Sequence, residues 1–282
     1  MLNQLFISAV LIVITAIYAL FDVFNKRNIP NIFVYLTVAV AFAITLTYSY
    51  STIIYSIAIA VIVAIPGYLL YKKGFLGGGD FLEFVAISLI LPIQPNPILY
   101  SEVQLPIPFI ISVLLAAGYT VSIYIPIYYL SRSARKPKID RKRVFSGIVL
   151  LSSYAVLIAL MYEISYIRLT GIIVLGIIGI ASFFIIIYES SIYTGMVEMV
   201  LPSSLEQGDM IAINLMNKKD IAYFTKISKR FDRLVTKKML SDIRDVKKKL
   251  PVYRNSVPFA LFIFFGVVIS LLLGNLMLLI LT

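Results

Sequence analysis

The sequence predicts an all-α polytopic membrane protein with a small α+β insertion before its last helix. Three observations predict it. Of 282 residues, 60% are hydrophobic and only 14% are charged, where a soluble domain carries roughly a quarter charged residues. Mean hydropathy is +0.96. Eight stretches approach the roughly 20 apolar residues that a helix needs to cross a bilayer core about 30 Å thick. Such a composition excludes an ordinary soluble domain, a disordered tail and a collagen-like fibre.

The eight stretches are 5–21, 32–48, 52–71, 81–99, 105–130, 144–162, 169–188 and 258–281. The first has no basic n-region and no small-x-small cleavage site before Asp22, so it reads as a retained helix and not a signal peptide. The fourth is the weakest. Its clean apolar core ends at Leu91, before Pro92, Pro95 and Pro97, and it alone contains a charge, Glu83. A short apolar core implies an end buried in protein or a helix that starts below the lipid surface. Tyrosines such as Tyr48, Tyr50, Tyr71, Tyr128 and Tyr129 cluster at span ends, as interfacial residues do.

Alternating the spans gives the topology. With the 25–31 loop cytoplasmic, 24 of the 25 Lys and Arg fall on the cytoplasmic side, and only Arg168 falls outside. The opposite orientation would invert the positive-inside bias. Both termini are therefore expected outside. The net charge of +11 reads as a topology signal plus attraction to anionic membrane lipid. No nucleic-acid partner is expected, since no base-stacking platform accompanies the charges.

The expected division is 1–188 for the first seven helices, 189–255 for a cytoplasmic insertion and 256–282 for the final helix. In the insertion, the apolar run 209–216 after Gly208 reads as a strand. Apolar residues Ile221, Phe224, Ile227, Phe231, Leu234, Leu240, Ile243 and Val246 suit one or two amphipathic helices.

The chain has no histidine and no cysteine. That removes thiolate nucleophiles, Ser-His-Asp triads, Cys/His zinc sites and any histidine base. Ionisable residues near lipid are functional candidates by default. Here they are Asp22, Asp80, Glu83 and Glu189, all near one face. Asp22 ends the first span, and Asp80 closes Gly77-Gly78-Gly79-Asp80 before the fourth. Two aspartates that meet can share a proton, which supplies an acid and a base for attack of water on a peptide carbonyl. Three glycines would leave room for a substrate strand and permit positive φ. The plainer alternatives are an N-cap for Asp80 and, for Asp22, a helix-end pairing with Lys26 or Arg27.

Gly77-Gly78-Gly79-Asp80 resembles the Gly-x-Gly-Asp motif of intramembrane aspartyl proteases. Asp22 followed by Arg27, Ile29, Pro30 and Asn31 resembles the first-aspartate motif of type IV prepilin peptidases. The length and the lack of a cysteine-rich region are most similar to the archaeal branch, the prepilin and preflagellin (archaellin) peptidases. Val257-Pro258-Phe259 and Gly266 are similar to the family's final helix. The resemblance implies that Asp22 and Asp80 are catalytic. It implies that class III-type, basic leader peptides are removed from pilin-like or archaellin-like precursors at the cytoplasmic membrane face. No cofactor is expected. Zinc, found in bacterial relatives, is not expected without cysteines; whether the chain also N-methylates, as bacterial relatives often do, is left open by the sequence.

The chain departs from that pattern. The family has about six spans, and the extra pair here is 144–162 and 169–188. The bacterial motif carries Lys three places after its second aspartate, where this chain has Glu83. Glu83 is expected to reach the headgroup water; the second option is that it acts on Asp80. Presenilin-like proteases require Tyr before the first aspartate and a Pro-Ala-Leu sequence, and this chain has Phe21 and none. Arg27 is expected to help set the turn into the second span and to tune Asp22. The 205–209 segment reads as a turn before a strand, the alternative being that its acids meet a basic leader, and Glu189 as a capping or solvated residue. The rival from another class is a transporter or scaffold. A transporter predicts paired interrupted helices and polar groups at the midplane, and only one interrupted span is present.

Overall fold

The computed structural model describes residues 2–25, 29–48, 53–99, 106–132, 141–164, 166–228, 231–254 and 257–276. Among them the chain forms α1 (Leu2–Phe24), α2 (Asn31–Tyr48), α3 (Ile53–Lys72), α4 (Gly78–Ile90), α5 (Phe109–Arg132), α6 (Arg141–Glu163) and α7 (Leu169–Ile187). Then come α8 (Glu189–Met196), β1 (Glu198–Val200), α9 (Lys218–Ile227), α10 (Lys237–Ile243), β2 (Leu250–Val252) and α11 (Phe259–Leu273). Five helices, α1, α3, α5, α6 and α7, are long and apolar enough to cross a membrane. α2 and α11 are shorter apolar helices. The protein is a multi-pass, all-α membrane protein.

Side-chain distribution follows the bilayer as solvent. Large apolar residues point outward along the helices, as at Leu5, Val13, Ile54, Ile62, Phe145 and Leu160. α4 does the reverse: every residue from Glu83 to Ile90 is buried. It packs chiefly between α2 and α3, while α11 packs on α1 and α5. Phe84, Ile87, Ile90, Phe109, Val113, Ile263 and Val267 form the shared core.

The fourth span is not one helix. α4 has 13 residues, about 20 Å at about 1.5 Å per residue, too short for the bilayer core. Beyond it the chain runs extended through Pro92 to Pro97. Exposed backbone at this depth would be prohibitively costly in lipid, but here other protein segments satisfy it. Gln94 N–H donates to the Ile107 carbonyl at 2.9 Å, and Ile98 and Leu99 donate to the Leu271 and Leu272 carbonyls at the end of α11. Gln94 Nε2 donates to the Ser270 carbonyl at 2.9 Å. α11 ends at Gly274 with φ of 82°, left-handed backbone that a side chain resists. A Cβ there would also fall 2.8 Å from Pro97.

The segment after α7 has its own core of Val200, Leu205, Ile211, Phe224, Val235, Met239, Ile243, Leu250 and Val252. β1 and β2 pair antiparallel, Glu198 opposite Val252. The expected strand at 209–216 is absent. Met210 and Ile211 make single bridges to two different segments, at Leu234 and Val252, and Ile213–Leu215 is a 3-10 turn. Ile211 and Ala212 are buried as an apolar run should be, but no single neighbour runs alongside to form a ladder. The two helices expected after it are α9 and α10. This segment touches the α3–α4 turn, where the Arg233 guanidinium lies 4.5 Å from the Phe75 ring centre.

The α5–α11 crossing depends on one small residue. A Cβ at Gly266 would lie 2.5 Å from the Val113 carbonyl oxygen and 3.1 Å from Ala117, the close approach that small residues permit between membrane helices. Gly266→Ala is expected to cost about 1–3 kcal/mol through overpacking. Thermal unfolding in detergent should show that loss, and Gly266→Leu should lose more.

Candidate functional site

Asp22 sits two residues before the end of α1. It is 6% exposed, and its Oδ2 accepts from the Ala260 N–H at 2.9 Å. Ala260 is in the first turn of α11, where backbone N–H groups have no partner within the helix. A carboxyl there satisfies one of them and meets the positive end of the helix dipole. Asp22 thus caps a helix 238 residues away. The expected alternative pairing, with Lys26 or Arg27, lies outside the described residues, as does the expected role of Arg27.

Asp80 is the third residue of α4, and its Oδ2 accepts from the Gly77 N–H at 3.1 Å. This is half of a capping box: the side chain reaches back to the residue before the helix. Asp80 is therefore not the N-cap; Gly77 is. The glycines act through space and not through backbone freedom. Gly77 has φ of −69°, and positive φ occurs instead at Gly74, Gly208 and Gly274. A Cβ at Gly77 would lie 2.6 Å from Asp80 Oδ2; at Gly79, 2.9 Å from Ile29 Cδ1; at Gly78, 3.3 Å from the Tyr71 ring. Any side chain at 77 displaces the Asp80 carboxyl.

Glu83 follows Asp80 by three residues and so shares its helix face one turn deeper. The expectation that it reaches headgroup water is wrong. Glu83 is 0% exposed, and neither carboxyl oxygen has a hydrogen-bond partner. The cause is the central position of α4, which turns the Asp80 face toward the bundle interior. Asp22, Asp80 and Glu83 lie within charge–charge range of one another. Neither Asp80 nor Glu83 forms an ion pair with a described residue.

Sequence reasoning missed Tyr18, treating tyrosines as interfacial. Tyr18 is 0% exposed. It packs with Val34 and Ala260 and against the Phe33 ring at 5.0 Å. Its hydroxyl lies beside Thr37 and within charge range of Glu83 and Asp80, with no partner at full hydrogen-bond geometry among the described residues. The available signal was its spacing of four residues before Asp22, which puts both on one face of α1. Phe259 at the start of α11 stands edge-on to Phe84 at 6.1 Å. The remaining acids stay apart: Glu189 pairs with Arg143 at 3.4 Å, and Asp209 caps its own turn by accepting from the Glu206 N–H at 3.0 Å.

Removing the Asp22 side chain leaves the Ala260 N–H buried without an acceptor, so Asp22→Ala is expected to lose about 1–3 kcal/mol. Asp22→Asn retains an acceptor oxygen and should unfold at a clearly higher temperature than Asp22→Ala in detergent.

The sequence profile of the type IV leader peptidase family matches residues 9–121. The match runs from α1 into α5 and includes Tyr18, Asp22, Gly77, Gly78, Gly79, Asp80 and Glu83; α6 to α11 lie beyond it. No curated protein and no solved structure gives a significant match. Over this stretch, which carries all three carboxyls of the site, the chain is similar to the type IV leader peptidase family.

Proposed function

We propose that this protein is a leader peptidase, and that it is an aspartyl endopeptidase in which Asp22 and Asp80 are the catalytic pair. The supporting observation is that two carboxyls 58 positions apart in the sequence lie within charge–charge range in one enclosed site, in a chain with no histidine or cysteine. One carboxylate takes a proton from water as its oxygen attacks the peptide carbonyl, and the other, as the acid, protonates the carbonyl oxygen. Collapse breaks the C–N bond, and the leaving nitrogen takes a proton. Gly77, Gly78 and Gly79 keep the approach to Asp80 clear for the substrate backbone.

The substrate in this reading is a pilin-like or archaellin-like precursor with a Lys/Arg-bearing leader of class III type. Its apolar segment after the cut stays in the bilayer. The basic residues at one end of the alternating helices favour a cytoplasmic site and outside termini. The contact between Arg233 and Phe75 supports the 189–255 segment lying at the same end as the site. α6 and α7, the pair beyond the family's usual number, attach through α7 to α5 and carry no part of this chemistry.

Purified full-length protein in detergent, given such a precursor, tests the reading. Asp22→Asn and Asp80→Asn are each expected to lower cleavage by about 100-fold or more; full cleavage by either variant removes that residue from the mechanism. Gly77→Ala should lower turnover by about 100-fold, since small displacements of a catalytic group have effects of that order. Gly78→Ala should cost far less, because only the movable Tyr71 ring stands in its way.

A further inference from the structure

We infer that Glu83 and Tyr18 form an ammonium subsite beside the Asp22/Asp80 pair, which receives a primary ammonium of the substrate. The inference rests on the peptidase reading and adds a specificity element to it.

Two groups carry it, one on α4 and one on α1. Glu83 on α4 is 0% exposed, and both of its oxygens lack hydrogen-bond partners. Tyr18 on α1 is also 0% exposed, its hydroxyl has no partner at full hydrogen-bond geometry among the described residues although Thr37 lies beside it, and it is within charge range of Glu83 and Asp80. Buried polar atoms in folded proteins are almost always satisfied. An acidic residue buried without a counter-charge or hydrogen bonds is more exceptional still. Here two such groups lie within charge range of each other, with the carboxyls of Asp22 and Asp80 in the same range.

What this set lacks is a compact donor carrying positive charge. A primary ammonium has three N–H donors and no acceptor. Glu83 Oε1, Glu83 Oε2 and the Tyr18 hydroxyl oxygen supply three acceptors. The position is one helical turn from Asp80, within a residue or two of the scissile bond. Two substrate groups have this chemistry there: the new α-amino terminus of the released segment, and a lysine side chain in the leader next to the cut.

Cleavage assays on the full chain in detergent distinguish them. In one arm, a peptide matching the start of the released segment competes with precursor, once with a free α-amine and once N-acetylated. In the other, the leader lysine nearest the cut is replaced by norleucine and KM is compared. The wild-type protein is expected to favour the amine by about tenfold or more in one arm, as an ion-paired buried hydrogen bond would give; the arm identifies the source. Glu83→Gln should reduce that preference to under about twofold, and Tyr18→Phe should reduce it in part while the carboxyl remains. Absence of preference in both arms, or preference undiminished in Glu83→Gln, overturns the inference. Should Glu83→Gln fail to fold, Tyr18→Phe and Glu83→Asp carry the same comparison, and undiminished preference in both overturns it. Protection of the Asp80→Asn protein from thermal unfolding by the two peptides reads the subsite without turnover. This separates its failure from that of the catalytic pair.

Discussion

The hydrogen bond from the Ala260 N–H to the Asp22 carboxyl ties the first helix to the last. Ala260, in the first turn of α11, is fully buried, so its N–H needs an acceptor from within the protein. Without an acceptor from another helix, that start would carry a desolvation penalty with nothing to offset it. Asp22 removes the penalty and in doing so is held at one wall of the pocket. The same carboxyl therefore ties the fold together and is one of the proposed catalytic pair.

α4 supplies the opposite wall. It is the shortest of the membrane helices and the most enclosed, with neighbours on every side from Glu83 onward. A full-length helix at this place would have a lipid-facing stripe. A short one followed by extended chain can be surrounded by protein, provided its freed backbone groups find partners. The bonds of Gln94, Ile98 and Leu99 provide them. Enclosure of α4 is what lets Asp80 and Glu83 share a pocket with Tyr18 and Asp22. The glycines before it, and Gly266 on α11, keep the surrounding backbones close enough to exclude lipid.

The rest of the chain attaches around this centre. α6 turns most of its surface outward and packs on α7, which in turn leans on α5. Gly147 and Gly179 face Phe183 and Tyr154 across that pair, so its packing is of the small-against-large kind found between membrane helices. The segment between α8 and β2 buries a separate apolar core and meets the bundle at the turn leading into Gly77.

The membrane character and the positions of the apolar helices were legible in the amino-acid sequence, because both follow from hydropathy along the chain. So were the candidacies of Asp22 and Asp80, since few ionisable residues lie near lipid and histidine and cysteine are missing. The strand expected at 209–216 failed because pairing needs a neighbour running alongside, which local pattern does not report. Glu83 was misjudged because one helical turn from a surface looks wet until the helix is known to be central. Tyr18 escaped notice because an apolar ring with a hydroxyl looks the same at an interface as in a pocket. Which helices surround α4, and that the start of α11 finds its cap on α1, were decided only by tertiary packing. Burial and distant hydrogen bonds are properties of neighbours, and neighbours more than two hundred residues apart leave no trace in local sequence.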